Sequence, residues 1–245
     1  IIAGPLGVGK TTVINYLLKQ RPDHEKWAVL VNEYGLVGLD AALLDTQASS
    51  KAPGVELREV AGGCICCSAG VMFETSLVLL LRRRPARLII EPTGLAALSG
   101  ILDTLDRPGI RESVDVRTIV SLMDPQRFQR DLERDETKDQ VAAADVLLAS
   151  RSDLSSEDQL NEFERWAQDL FPPKIQVGAI ENGAVELELL DRVSQRKTAP
   201  VRAGHMHGTD HHDHHHHEHH HEHHHHEHHH HEHHHHEHHN GHSET

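Results

Sequence analysis

Short apolar, β-branched runs recur along the chain, each bounded by turn residues: "IIA" (1–3), "WAVLVN" (27–32), "RLIIE" (87–91), "VRTIVSLMD" (116–124), "DVLLAS" (145–150) and "KIQVG" (174–178). Runs that are apolar throughout, rather than alternating, suit strands buried on both faces. Between most of them lie stretches of helical character, at 10–20, 69–84, 96–106, 126–143 and 156–169. Strand–helix alternation implies parallel βαβ units, hence an α/β domain of three layers with a mainly parallel sheet. "VELREV" (55–60) adds a further strand, expected in a local hairpin ahead of residues 62–67.

After Arg202 this pattern stops. Every histidine but His24 lies from His205 onward, mostly as "HHHHE" and near-repeats. The chain therefore divides into a body, residues 1–203, and a His/Glu-rich tail, residues 204–245. The tail has no apolar surface to bury and is expected to be disordered. Of the net charge of −14, the tail's eight Asp/Glu carry −8. Neither part offers the basic face that phosphate-backbone binding needs, which argues against a nucleic-acid partner. "SLVLLL" (76–81) is far shorter than the roughly 20 apolar residues of a membrane span, so no membrane association is expected. The chain opens at Ile1 without Met and inside a strand pattern, so an N-terminal piece is expected to be missing. The three cysteines are crowded together and cannot form a disulfide framework, which points to a reducing cytoplasm.

"GPLGVGKTT" (4–12) follows the first strand and opens the first helix, and fits G-x-x-x-x-G-K-[ST]. Glycines at this spacing let backbone N–H groups turn onto a phosphate, and the helix N-terminus adds positive potential. Gly4, Gly7, Val8, Gly9, Lys10, Thr11 and Thr12 are the expected nucleotide contacts. Lys10 would reach the β- and γ-phosphates and Thr11 would ligate Mg²⁺, as in a P-loop NTPase. "RLIIEPTG" (87–94) supplies Glu91 at a strand end as a second Mg²⁺-side carboxylate, with the Gly94 N–H at the γ-phosphate. Lys10, Thr11, Glu91 and Gly94 form the expected catalytic group.

"GGCICC" (62–67) places Cys64, Cys66 and Cys67 within four positions. Thiolates select Zn²⁺, Cu⁺ or iron–sulfur clusters, and a metal's charge is what lets neighbouring thiols ionise together; three sulfurs leave one tetrahedral position open, which suits a transfer site. An iron–sulfur cluster normally takes a fourth cysteine, and none exists. The tail, with His214, His215, His216 and His217 as representative ligands, is expected to bind divalent metals weakly at many sites.

Taken in order, "GPLGVGKTT", "VNEYGLVGLD" (31–40), "GGCICC" and "EPTGLA" (91–96) resemble the CobW-like GTPases, closest to their YeiR-type zinc-binding branch. The resemblance covers nearly the whole body. It implies GTP hydrolysis coupled to binding of Zn²⁺, ahead of Co²⁺ or Ni²⁺, and its transfer to a client metalloprotein. It also implies a switch around Asn32, Glu33, Gly35 and Asp40, with Glu33 and Asp40 near the Mg²⁺ and cysteine sites; Glu33, a tail histidine, water or a client ligand could complete the cysteine site. Three places depart from the family. The guanine-reading [NT]-K-x-D is Ser150-Arg151-Ser152-Asp153 here. Asp153 keeps the carboxylate for guanine N1 and N2, and Arg151 can lay its stem over the base, but Ser150 in place of Asn costs a supporting hydrogen bond, so a GTP preference should persist but weaken. Val31 and Leu36 stand where some members carry acidic residues, so no accessory metal site is expected there. The chain also stops at Thr245, before the family's usual C-terminal domain, as a fragment or a naturally short form would. The rival reading is a His-rich zinc buffer with a degenerate nucleotide site; it predicts negligible hydrolysis and loss of nearly all metal capacity without residues 204–245. No arginine finger or water-orienting glutamine can be assigned, so slow turnover is expected. Neither the oligomeric state nor the client can be read from the chain.

Overall fold

The computed structural model describes residues 1–32, 54–60 and 70–192. The chain divides into one unit over 1–200 and another over 201–245, and every described residue belongs to the first. Its strands are β1 (Ile2–Ala3), β2 (Trp27–Asn32), β3 (Val55–Glu59), β4 (Arg87–Pro92), β5 (Val120–Met123), β6 (Val146–Ala149) and β7 (Gln176–Ala179). The α-helices are α1 (Lys10–Lys19), α2 (Gly70–Leu81), α3 (Leu98–Leu105), α4 (Phe128–Asp131), α5 (Asp135–Ala143) and α6 (Glu157–Gln168).

All assigned strand pairs are parallel, in two ladders ordered β1-β5-β6-β7 and β3-β2-β4. β1 also lies against β4, so the ladders run as one layer, β3-β2-β4-β1-β5-β6-β7. All four residues of β5 and all four of β6 are buried, which explains why their sequences do not alternate. Two corrections to the sequence reading follow. Among the described residues, 55–59 form no hairpin: β3 pairs in parallel with β2, Leu57 opposite Val29. The helical stretch 126–143 is broken into α4 and α5, with Arg134 extended at ψ 133 as the N-cap of α5.

α1 packs Val13, Ile14, Leu17 and Leu18 onto β1, β2 and β5. α2 and α3 cover the strands with Phe73, Leu77, Leu98 and Ile101. Each such side chain contributes about 1.5–3 kcal/mol when taken out of water. α6 starts from a capping box that "SSEDQ" encodes: the Ser156 hydroxyl accepts from Gln159 N–H at 3.3 Å, and Ser156 N–H donates to Gln159 Oε1 at 2.9 Å. The C-terminus of α5 is closed by Lys174, whose ammonium donates to the carbonyls of Val141 (2.6 Å) and Ala144 (2.9 Å). Burial lowers the pKa of this lysine, with Asp145 opposing the shift. α5 matters because its Asp139 and Gln140 anchor the loop that follows β4. Among the described residues no helix is long and apolar enough to cross a membrane.

Candidate nucleotide site at the strand ends

In a parallel sheet, ligands sit at the carboxyl ends of strands where the winding direction reverses. Here β1 leads towards β2 on one side, while β4 hands the chain across to β5 on the other. The loops leaving β1, β4 and β5 therefore meet at one mouth. Residues 4–9 form the first of them. Gly4 has φ 140, and a Cβ there would stand 2.5 Å from the Leu122 carbonyl oxygen, so no other residue fits under the loop. Val8 is fully buried in the core beneath the loop, so only its backbone faces the mouth. Lys10 is 4% exposed, and its ammonium donates to the carbonyls of Gly4 (3.1 Å) and Pro5 (3.2 Å). Thr12 is exposed beside it.

The loop leaving β4 closes onto this one. Glu91, 1% exposed, accepts from the Thr11 hydroxyl at 3.0 Å. A hydroxyl and a buried carboxylate side by side at a helix N-terminus make a hard-oxygen pair, and that donor set fits Mg²⁺. Gly94 lies directly on the first loop: a Cβ there would come within 2.7 Å of the Pro5 carbonyl carbon and 2.9 Å of Leu6 Cα. Two side chains from α5, which no motif flagged, hold this segment. Gln140, fully buried, donates from Nε2 to Ala96 O at 2.8 Å. Asp139 Oδ2 accepts from the N–H groups of Leu98 and Ser99 (3.0 Å for the latter) and so caps α3 from another helix.

The turn leaving β5 was missed at the sequence level, although "SLMDP" repeats the grammar of "LIIEP", a carboxylate at a strand end followed by proline. Buried Asp124 accepts from Gln126 N–H at 3.0 Å and faces Arg127 Nε at 3.5 Å and Arg151 Nη1 at 3.4 Å. Arg127 Nη2 donates to Leu6 O at 2.6 Å, and Arg151 Nη2 to Gly7 O at 2.7 Å. Two guanidiniums thus hold consecutive carbonyls of the glycine loop. Arg151, in the left-handed region at φ 55, directs its charge to the loop.

The Ser150–Asp153 turn is tied down on both sides. Ser150 Oγ donates to Met123 O at 3.2 Å, and Ser152 Oγ to Ile180 O at 3.1 Å. Asp153 is exposed in the following 3-10 turn. The turn at 181–184, unread at the sequence level, backs the start of α1: a Cβ on Gly183 would lie 2.8 Å from the Thr12 carbonyl carbon. Glu33, Gly35, Asp40, Cys64, Cys66, Cys67 and His214–His217 lie outside the described residues, and Asn32 is described only as the backbone end of β2. Among the described residues no group of three or more His, Cys, Asp or Glu could hold a metal.

A glycine loop with a buried lysine, set between β1 and α1 at the mouth of a parallel sheet, defines a P-loop NTPase fold. The chain belongs to the CobW/HypB/UreG family, whose nucleotide-binding domain matches residues 1–177. It is similar to the zinc chaperone YeiR of Escherichia coli (strain K12), 39% identical over 212 residues that cover 84% of this chain and 62% of YeiR. It is also similar to the zinc chaperone CobW of a Sinorhizobium species, 30% identical over 179 residues that cover 63% of this chain and 50% of that one. The crystal structure of the Zn(II)-bound YjiA GTPase from E. coli shares the fold, with a TM-score of 0.53 at 23% identity, covering 77% of this chain and 59% of that one. The chain thus spans about half to 62% of the length of these relatives.

Proposed function

We propose that this chain is a GTP-hydrolysing zinc metallochaperone, with residues 1–203 as the GTPase domain and 204–245 as a metal-collecting tail. Zn²⁺ is its cargo: Cys64, Cys66 and Cys67 bind it in the reducing cytoplasm and release it to a client metalloprotein. The observation that carries the reading is the strand register. Val31 lies opposite Glu91 on one side and Glu59 on the other, and Val60 N–H donates to Val31 O at 2.9 Å. The entrance to the NEYG segment, the entrance to the cysteine segment and the Mg²⁺-side carboxylate are therefore three adjacent strand ends. The names of YeiR and CobW as zinc chaperones favour Zn²⁺.

In this reading Lys10 and the N–H groups of residues 7–12 bind the phosphates, Gly94 meets the γ-phosphate, and Asp153 reads the base. Thr11 and Glu91 would hold Mg²⁺, which supplies charge neutralisation across the β- and γ-phosphates. Glu33, water or a client ligand would fill the fourth zinc position.

Zn²⁺ titrations of the apo, GDP-bound and GTP-analogue-bound protein test the coupling. Affinity should differ at least about 5-fold between nucleotide states, and Zn²⁺ should shift nucleotide affinity by the same factor. Replacing Cys64, Cys66 and Cys67 by Ser should remove the tight site, whereas deleting 204–245 should remove only the weak ones. Equal affinity in all three states ends the proposal. A separate readout concerns Mg²⁺. Glu91→Gln should raise the Mg²⁺ concentration for half-maximal hydrolysis roughly 10-fold, as loss of an interaction with a charged group implies. GDP affinity measured without Mg²⁺ should hold steady.

A further inference from the structure

We infer that Arg127 is a catalytic residue for γ-phosphoryl transfer, an arginine supplied by the chain itself rather than by a partner. The inference rests on the GTPase reading above and names a group that no motif singled out.

The first half of the glycine loop is where the γ-phosphate machinery gathers. Lys10 reaches the carbonyls of Gly4 and Pro5. Gly94 packs on Pro5 and Leu6. Arg127 Nη2 is the third group on that stretch, at Leu6 O, 2.6 Å away. Arg151 sits one residue further along, at Gly7 O, and belongs to the base-reading turn. The two arginines thus differ in place, and only Arg127 shares a residue with Gly94.

Arg127 is also held as a pre-aimed cation. Its Nε ion-pairs with Asp131 at 3.2 Å and Asp124 at 3.5 Å without a hydrogen bond to either, while Nη2 donates to the loop. Its side chain is 27% exposed, so the guanidinium stands at the open mouth rather than in the core. It is the N-cap residue of α4, and the same turn is tied across the mouth by Gln126 Nε2, which donates to Leu154 O. A guanidinium fixed from behind by two carboxylates needs little reorganisation when charge develops in front of it. Two carboxylates also neutralise part of that charge before the reaction.

The step is hydrolysis. A water oxygen bonds to Pγ as the bond from Pγ to the β–γ bridging oxygen breaks, and that electron pair stays on GDP. Both water protons leave with inorganic phosphate, as dihydrogen phosphate. Arg127 keeps its protons throughout and donates hydrogen bonds to the γ-phosphoryl oxygens, where the transition state carries its charge.

Single-turnover and steady-state GTP hydrolysis by the full chain, wild type against Arg127→Ala and Arg127→Lys, tests this. Arg127→Ala should lower kcat about 100-fold with KM and GDP affinity within about 3-fold. Added guanidinium ion should restore part of the rate to Arg127→Ala and leave the wild type unchanged. Wild type should bind GDP with fluoroaluminate, and the variant should not. Should Arg127→Ala unfold, Asp131→Asn, which frees the arginine from behind, should still lower kcat several-fold at an unchanged melting temperature. Three outcomes overturn the inference and spare the GTPase reading. These are an unchanged kcat, parallel losses of GTP and GDP affinity at constant kcat, or a fallen kcat with no guanidinium rescue. The parallel losses would make Arg127 a positioning residue acting through Leu6. A wild type that hydrolyses no GTP above the buffer blank overturns the GTPase reading and the inference together.

Discussion

Gly94→Ala should nearly abolish GTP hydrolysis. The added methyl would overlap the Leu6 N–H and stand 2.7 Å from the Pro5 carbonyl carbon, and these are backbone atoms with no rotamer to retreat into. Neither loop can yield easily. The Gly94 segment is pinned at one end by the ladder of β4 with β2 and at the other by Gln140 on Ala96 and Asp139 on Leu98. The glycine loop is seated through Gly4 on Leu122. Relief therefore requires displacing one loop from the other by about an ångström, and misplacement of that size costs on the order of 100-fold in rate. Overpacking should also destabilise the domain by about 1–3 kcal/mol. Hydrolysis rate and melting temperature should fall together, with a GTP analogue losing more affinity than GDP because the γ-phosphate end is disturbed. Wild-type hydrolysis in the variant would contradict the packing of Gly94 on Leu6.

Asp153→Asn should exchange the base preference. A carboxylate accepts from both guanine N1–H and the exocyclic amine. Xanthine carries an oxygen in place of that amine, which an asparagine amide can donate to. Each hydrogen bond to a charged group is worth roughly 1.5–3 kcal/mol, so GTP affinity should drop about 100-fold while XTP affinity rises. The substitution is nearly isosteric on an exposed 3-10 turn, so stability should move by no more than about 0.5 kcal/mol. Competition of GTP, XTP and ATP for the wild type and the variant reads this directly. It also measures how far Ser150, in the place of the usual asparagine or threonine, loosens the preference. If GTP and XTP compete alike in both proteins, Asp153 does not read the base.

The legible parts of this site were local ones. "GPLGVGKTT" encodes its own strand, turn and helix start, because glycine conformations and the helix N-terminus act within a few residues. Glu91 was legible because a carboxylate closing an apolar strand in an otherwise buried run has few other uses. Asp124 obeyed the same grammar and was passed over, since no loop of known spacing followed it. Gln140, Asp139 and Arg127 carried no signal. Each acts across tens of residues, on Ala96, on Leu98 and on Leu6, and in the sequence each is one polar residue on a helix or turn among many. The misread hairpin has a related cause: an apolar strand reads alike whichever neighbour it pairs with, and residues 55–59 took β2 in parallel. The break between α4 and α5 was hidden because "RDLERDETKD" keeps helical composition on both sides of an extended Arg134.

By itself, then, the sequence determined the alternation of buried strands and helices and the chemistry of the phosphate loop. It also determined the crowding of three thiols and the contrast between body and tail. These depend on residue type and short spacing. The tertiary structure decided which strand ends stand together, and so brought the exits of β2 and β3 beside Glu91. It also decided that two arginines remote from the glycine loop should grip its carbonyls. Strand order and side-chain convergence depend on packing between distant segments, where burial and parallel pairing select one arrangement from several that local pattern allows equally.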